Sequence, residues 1–170
     1  TLARLNNLTA SMRTSKLDAV ILNPGPTLTY LTGVHFHLME RPVVLFVAPG
    51  QDPVLVLPEL ELPKMELFPY KVQAVAYGEN PSEWENAFRK AAQALGLDGK
   101  RIGVEPRQLR LLEFSHVKAG APESEFPDAS NVLSMLRLKK DKAEVDSMRR
   151  AVKIAQDALE ATIPLIKIGM

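Results

Sequence analysis

The sequence predicts an α/β fold: a mixed β-sheet flanked by helices, with a long helix at the C-terminal end. Three observations carry this. The runs Ala19-Val20-Ile21-Leu22 and Val43-Val44-Leu45-Phe46-Val47 are apolar throughout, with no polar alternation to give one face to water. Stretches with apolar residues every three or four positions alternate with the strand-like runs, the pattern of helices interleaved with strands. Only Pro49-Gly50-Gln51-Asp52 separates the run 43–47 from 53–57, so one antiparallel hairpin joins an otherwise alternating order.

Taken in order, Leu2, Leu5, Leu8 and Met12 fall on one side of an amphipathic helix. A polar stretch, 11–16, leads into a strand over 17–22. Pro24, Gly25 and Pro26 forbid that strand from continuing. Leu28, Tyr30 and Leu31 return to the core over a short helical turn, and Gly33 is placed to end it with positive φ. After the hairpin, 59–68 reads as a short helix weakened by Pro63, and 72–77 as a further strand. Ser82, with Glu85 three residues on, predicts a capping box. Trp84, Phe88, Ala91 and Leu95 form the stripe of the helix that follows, and Gly96 closes it. A strand is expected over 101–105, a helix over 109–118, a short strand or extended link at 125–126, and a helical segment over 129–138. The last helix is the best defined. Asp141 caps it with Glu144 as box partner, and Val145, Met148, Val152, Ala155, Leu159 and Ile163 make a stripe about six turns long that Pro164 ends.

Composition narrows the functions. Twenty-one Lys and Arg against twenty Asp and Glu leave a formal charge of +1, which favours neither a nucleic-acid nor a membrane partner. The basic cluster Arg137, Lys139, Lys140, Lys142, Arg149, Arg150 and Lys153 is interrupted by Asp141, Glu144 and Asp146 and reads as a solvated helix face. There is no cysteine, so disulfides, thiol nucleophiles and zinc–thiolate sites are excluded. No apolar run approaches the ~20 residues of a membrane span. The first residues lack the pattern of a signal peptide, and a cytoplasmic location is expected. Gly25, Gly33 and Gly50 are isolated, so no glycine-rich phosphate loop is present.

Chemistry is expected in the stretch 23–41, a loop at the end of a buried strand. It holds His35 and His37, two of the three histidines in the chain, and ends at Arg41. In an extended segment residues two apart face one side, so both imidazoles could approach one ligand. From the residues alone two readings stand: a polar loop surface and a metal site, for which Glu40 is the only nearby carboxylate. By position alone Arg41 flanks the strand that follows. The third histidine, His116, lies mid-helix among Leu111, Leu112 and Phe114 and reads as a surface or packed residue.

Several motifs occur together in a recognisable order. Asp18-Ala-Val-Ile-Leu-Asn23 is followed by Tyr30-Leu31-Thr32-Gly33, then by Ile102-Gly103-Val104-Glu105. Arg137 and Lys140 precede Glu144-Val145, Met148-Arg149 and Ala151 at the start of the last helix. In this order the chain resembles the amino-terminal domain of the creatinase, prolidase and aminopeptidase P family of pita-bread metallopeptidases. The resemblance covers nearly the whole chain. It implies a mixed sheet with a ribonuclease H-like motif over 1–138, and a linker with the first helix of a separate catalytic domain over 139–170.

The same resemblance implies a function for the part and for the parent. The parent would be an Xaa-Pro dipeptidase or aminopeptidase using two divalent metal ions, Mn, Co or Zn. Its ligands, two aspartates, one histidine and two glutamates, would all lie in the catalytic half, so this chain would bind no cofactor and have no activity alone. Its partners would be its own catalytic domain, a second subunit in a homodimer, and a peptide substrate containing proline. The loop after Tyr30-x-x-Gly33 would reach toward a cleft, which makes His35, His37 and Arg41 candidates to face substrate or partner, with Arg41 placed to hold a substrate carboxylate by two parallel hydrogen bonds. Histidines stand where creatinase-like members offer aromatic residues, which favours a peptide over creatine. The alternative is a peptide- or protein-binding module from a member that has lost catalysis.

Overall fold

Strands with no polar face need cover on both sides, and the chain supplies it with helices above and below one sheet. A computed structural model describes residues 2–167 and 169. Its strands are β1 Ala19–Leu22, β2 Val44–Val47, β3 Val54–Pro58, β4 Gln73–Tyr77 and β5 Ile102–Gly103. Its helices are α1 Leu2–Thr14, α2 Pro26–Thr32, α3 Trp84–Ala94, α4 Leu111–Gly120, α5 Ser130–Leu138 and α6 Lys142–Thr162. Short 3₁₀ segments occupy Glu59–Leu67, Pro81–Glu83 and Ile163–Leu165.

The five strands lie in the order β4-β3-β2-β1-β5. β2 runs antiparallel to both β1 and β3, through the pairs Ile21 with Phe46 and Leu45 with Leu55. The edge strands β4 and β5 run parallel to β3 and β1. The sheet is therefore mixed, as the alternation of elements around a single hairpin predicts.

The strand period of two sorts the core into two layers. Val20, Leu22, Leu45, Val47, Leu55 and Leu57 pack with Leu5, Leu8 and Met12 of α1, with Leu28 and Leu31 of α2, and with Val132 and Leu133 of α5. Ala19, Ile21, Val44, Phe46, Val54 and Val56 pack with Ala87, Phe88 and Ala91 of α3 and with Val117 of α4. Phe46 meets Phe88 edge-on, with ring centres 6.2 Å apart.

Two local expectations are corrected. The Ser82–Glu85 capping box does not form. Asn80 instead accepts from the Ser82 amide at 3.1 Å, a 3₁₀ turn follows over Pro81–Glu83, and α3 begins at Trp84. Asn80 competes with success because its carbonyl reaches the amide two residues on, and Pro81 suits the first position of the turn. The strand expected over 101–105 is only two residues long, although single bridges join Arg101 to Glu125 and Val104 to Asp128. The end of α3 follows expectation: Gly96 has φ of 61°, and the amides of Gly96 and Leu97 close back on Gln93 and Ala92.

Backbone contacts divide the chain into two compact units, residues 1–136 and 137–170. In the second, Asp141 and Glu144 form the reciprocal cap, with bonds of 2.8 and 2.9 Å. No residue of α6 is buried, and Met148, Val152 and Leu159 of its apolar stripe are each more than half exposed. No helix among the described residues is long and apolar enough to cross a membrane.

Two predictions follow from this packing. A Cβ built on Gly103 would stand 2.9 Å from both Ala129 Cβ and Leu17 Cδ1, so Gly103→Ala overfills the joint between β1, β5 and α5. The expected cost is about 1–3 kcal/mol, read from urea unfolding. Asp128 accepts from the Ser130 amide at 2.7 Å at the head of α5, and bonding to Ser130 holds its carboxyl below the usual range. A depressed folded value means the contribution is present above the unfolded value of about 3.9 and is lost as pH falls through the folded one. Asp128→Asn keeps a neutral cap, so its urea midpoint should fall less than the wild type's below about pH 4.

Candidate functional site

The loop after β1 is built from the inside. Pro26 opens α2 at its first position, and the helix buries Thr27, Leu28, Leu31 and Thr32. Gly33 ends it with φ of 75°, its amide donating to Thr29 O at 2.7 Å. The Thr32 hydroxyl donates to Leu28 O at 2.9 Å and accepts from the Val34 amide at 3.0 Å, so it fixes the exit of the chain. The Tyr30 hydroxyl donates to Leu136 O at 3.1 Å, and the Arg4 guanidinium lies 4.0 Å over its ring. The Thr27 hydroxyl donates to Glu105 Oε1 at 2.8 Å. Motifs 78 residues apart thus meet beside the parallel ends of β1 and β5.

Beyond Gly33 the chain alternates. Val34 and Phe36 turn inward, while His35 and His37 are exposed. Phe36 is held from the other side by the 3₁₀ segment Glu59–Leu67 and the residue after it. Its ring centre is 6.4 Å from that of Phe68, and the Lys64 ammonium stands 4.9 Å over its face. Lys64 also donates to His35 O at 3.1 Å and pairs with Glu61 at 2.7 Å. The two imidazoles are therefore carried on one exposed edge of a segment whose other edge is anchored. The next residues, Leu38 and Met39, are exposed as well. Among the described residues, no three His, Asp or Glu side chains gather as metal ligands.

Arg41 stands apart from the histidines in what holds it. Its guanidinium is paired with Glu79, and Glu40 Oε1 lies 3.7 Å from Nη1. The hydrogen bond it donates to Glu79 raises its already high pKa, so it is a cation at every working pH. Beside it, the buried Tyr77 hydroxyl donates to Pro42 O at 2.6 Å. Burial pushes the Tyr77 phenol well above its ordinary value, which keeps the proton that this bond needs. A second ion pair lies within electrostatic reach of Tyr77, where Arg110 donates from Nε to both oxygens of the fully buried Glu113 at 3.0 and 3.1 Å. His116 stacks on Phe88 at 5.2 Å and meets Trp84 edge-on at 6.3 Å, a packed residue.

His35 and His37 thus share a face, and Arg41 sits four residues beyond His37 in separate company. Tyr77 and Glu79 were not singled out by the sequence. The only signal for them is their position, two residues apart at the end of a strand and just before the turn at Pro81.

A mixed five-stranded α/β domain with a Tyr-Leu-Thr-Gly helix end, buried at Leu31 and Thr32, and a displayed loop defines a particular class. The chain matches the Creatinase/Prolidase N-terminal domain family over residues 4–139, and it belongs to that family. An uncharacterised peptidase of Staphylococcus haemolyticus is 23% identical over 172 residues, covering 99% of this chain and 46% of that protein. A dipeptidase from Pyrococcus horikoshii superposes with a TM-score of 0.86 at 26% identity, covering 98% of this chain and 45% of the other. A proline dipeptidase structure from Streptococcus pneumoniae, at 29% identity and a TM-score of 0.67, covers 80% of this chain and 98% of its own. The chain spans about half the length of the curated relatives it matches.

The anchoring makes a contrast that stability measurements can read. His35→Ala and His37→Ala should each change unfolding free energy by no more than about 0.5 kcal/mol. Phe36→Ala between them should cost about 3–5 kcal/mol.

Proposed function

We propose that this chain is the non-catalytic amino-terminal domain of a two-metal peptidase that cleaves the bond before proline, either an Xaa-Pro dipeptidase or an Xaa-Pro aminopeptidase. The observation that carries the proposal is the family match over 4–139 in a chain about half as long as its peptidase relatives. The proline dipeptidase from Streptococcus pneumoniae supports the proline preference. Residues 139–170 are then the linker and opening helix of the catalytic domain, and the exposed stripe of α6 is the face that domain covers.

The two metal ions, Mn, Co or Zn, would supply an activated water and a Lewis acid in the catalytic half. The residues described here do not offer a convergent ligand set for them, so no step of the reaction is assigned to this chain. Its part is to hold the loop that carries His35, His37 and Arg41 toward the cleft, and to contribute to a homodimer in which exposed Leu38 and Met39 are covered. Arg41, a fixed cation on that loop, takes the substrate carboxylate.

The purified 170-residue chain should show no turnover of Gly-Pro or Ala-Pro with Mn, Co or Zn, whereas the full reading frame should. Metal-dependent cleavage by the 170 residues alone would refute the proposal. In the full-length enzyme Arg41→Ala should raise KM about tenfold or more while kcat changes little, the mark of a lost binding contact.

A further inference from the structure

We infer that Tyr77 and Glu79, at the exit of β4, are positioning residues that aim the Arg41 guanidinium at an incoming carboxylate. The inference rests on the proposed substrate-facing role of Arg41, and it adds what fixes that side chain. β4 is a firm base, because all five of its residues pair with β3, from Val54 with Gln73 to Pro58 with Tyr77. Tyr77 closes this ladder, and Glu79 follows two residues on, in the bend that leaves the strand. From these two positions the end of β4 grips the loop twice.

The first grip is on the backbone. The buried Tyr77 hydroxyl donates to Pro42 O at 2.6 Å, and its ring is backed by Trp84 with centres 5.6 Å apart. Pro42 has a fixed φ and steers the residue before it away from helical conformations, so the backbone of Arg41 is restrained on its C-terminal side. The second grip is on the side chain. Glu79 engages Nη2 of Arg41, while Glu40 stands 3.7 Å from Nη1, beyond a hydrogen bond.

Exposure separates positioning from mere stabilisation. The Arg41 side chain is 34% exposed and that of Glu79 is 71% exposed. A pair this open to water contributes little to folding. What it does is restrict a long side chain whose planar fork has five donors, of which Glu79 takes one edge. The remaining donors stay available for a second, planar, two-pronged partner, and the ordering is done before that partner arrives.

The test uses the full-length enzyme with Ala-Pro as substrate, in the variants Glu79→Gln, Glu79→Asp, Tyr77→Phe and Arg41→Ala. Glu79→Gln and Tyr77→Phe should each raise KM roughly three- to tenfold with kcat within about twofold. Glu79→Asp should recover most of the loss. In the Arg41→Ala background Glu79→Gln should have no further effect, since it acts through Arg41. If Arg41→Ala raises KM but neither Glu79→Gln nor Tyr77→Phe does, the positioning claim falls and the substrate-facing reading stands. A lower KM in Glu79→Gln means that Glu79 competes with substrate, and also overturns it. If Arg41→Ala leaves KM unchanged, both fail. A readout independent of catalysis is the Nη2 amino group of Arg41 in the 170-residue chain, followed by NMR. Glu79→Gln should speed its exchange with water severalfold while the melting temperature holds, and equal exchange in the two proteins would overturn the claim whatever the parent's activity.

Discussion

The burial of β1, β2 and β3 on both faces is the constraint on which everything else depends. Each Leu, Val or Phe withdrawn from water there contributes roughly 1.5–3 kcal/mol, and these strands are buried from end to end. Such a sheet cannot stand with one side open. It requires α1, α2 and α5 on one side and α3 and α4 on the other, and the order of the chain follows from supplying them. The edge strands relax the demand. β5 has only two residues, with Gly103 where a side chain would collide with Leu17 and Ala129, and the first residues of β4 are exposed.

Once both faces are covered, the sheet presents the loops at its strand ends to other molecules. The excursion between β1 and β2 is long, and it is not loose. Thr27 ties it to Glu105, Thr32 and Gly33 fix its turn, Phe36 is gripped by Lys64 and Phe68, and Tyr77 holds Pro42. Tyr70, whose phenol is pushed up to about 12 by burial, donates to Leu31 O at 3.3 Å and steadies the same helix. A loop restrained at so many points presents its exposed residues in a defined place, which is what a contact surface needs.

The second unit obeys the same physics with a different outcome. α6 has a strong local start in its reciprocal cap, and it carries an apolar stripe that the described residues leave exposed. A helix of 21 residues holds such a stripe in register for several turns. In relatives about twice as long as this chain, there is ample further sequence to cover it.

The sequence by itself determined the fold class, the mixed sheet, the antiparallel hairpin, the left-handed Gly33, the Schellman end at Gly96 and the capping box of Asp141 and Glu144. All of these depend on periodicity or on residues a few positions apart, where the chemistry is local and the spacing is the signal. It also showed which residues deserve scrutiny, since His35, His37 and Arg41 stand out as polar groups in a loop after a buried strand. It misplaced the cap of α3, where Asn80 and Ser82 both had suitable side chains and local competition chose between them. Only the tertiary structure decided that Arg41 pairs with Glu79, that Tyr77 bonds Pro42, that Thr27 meets Glu105 and that His116 stacks on Phe88. These contacts join residues between 28 and 78 positions apart. No periodicity encodes them, because they arise only when the register of the sheet and the packing of α3 against α4 bring distant segments side by side.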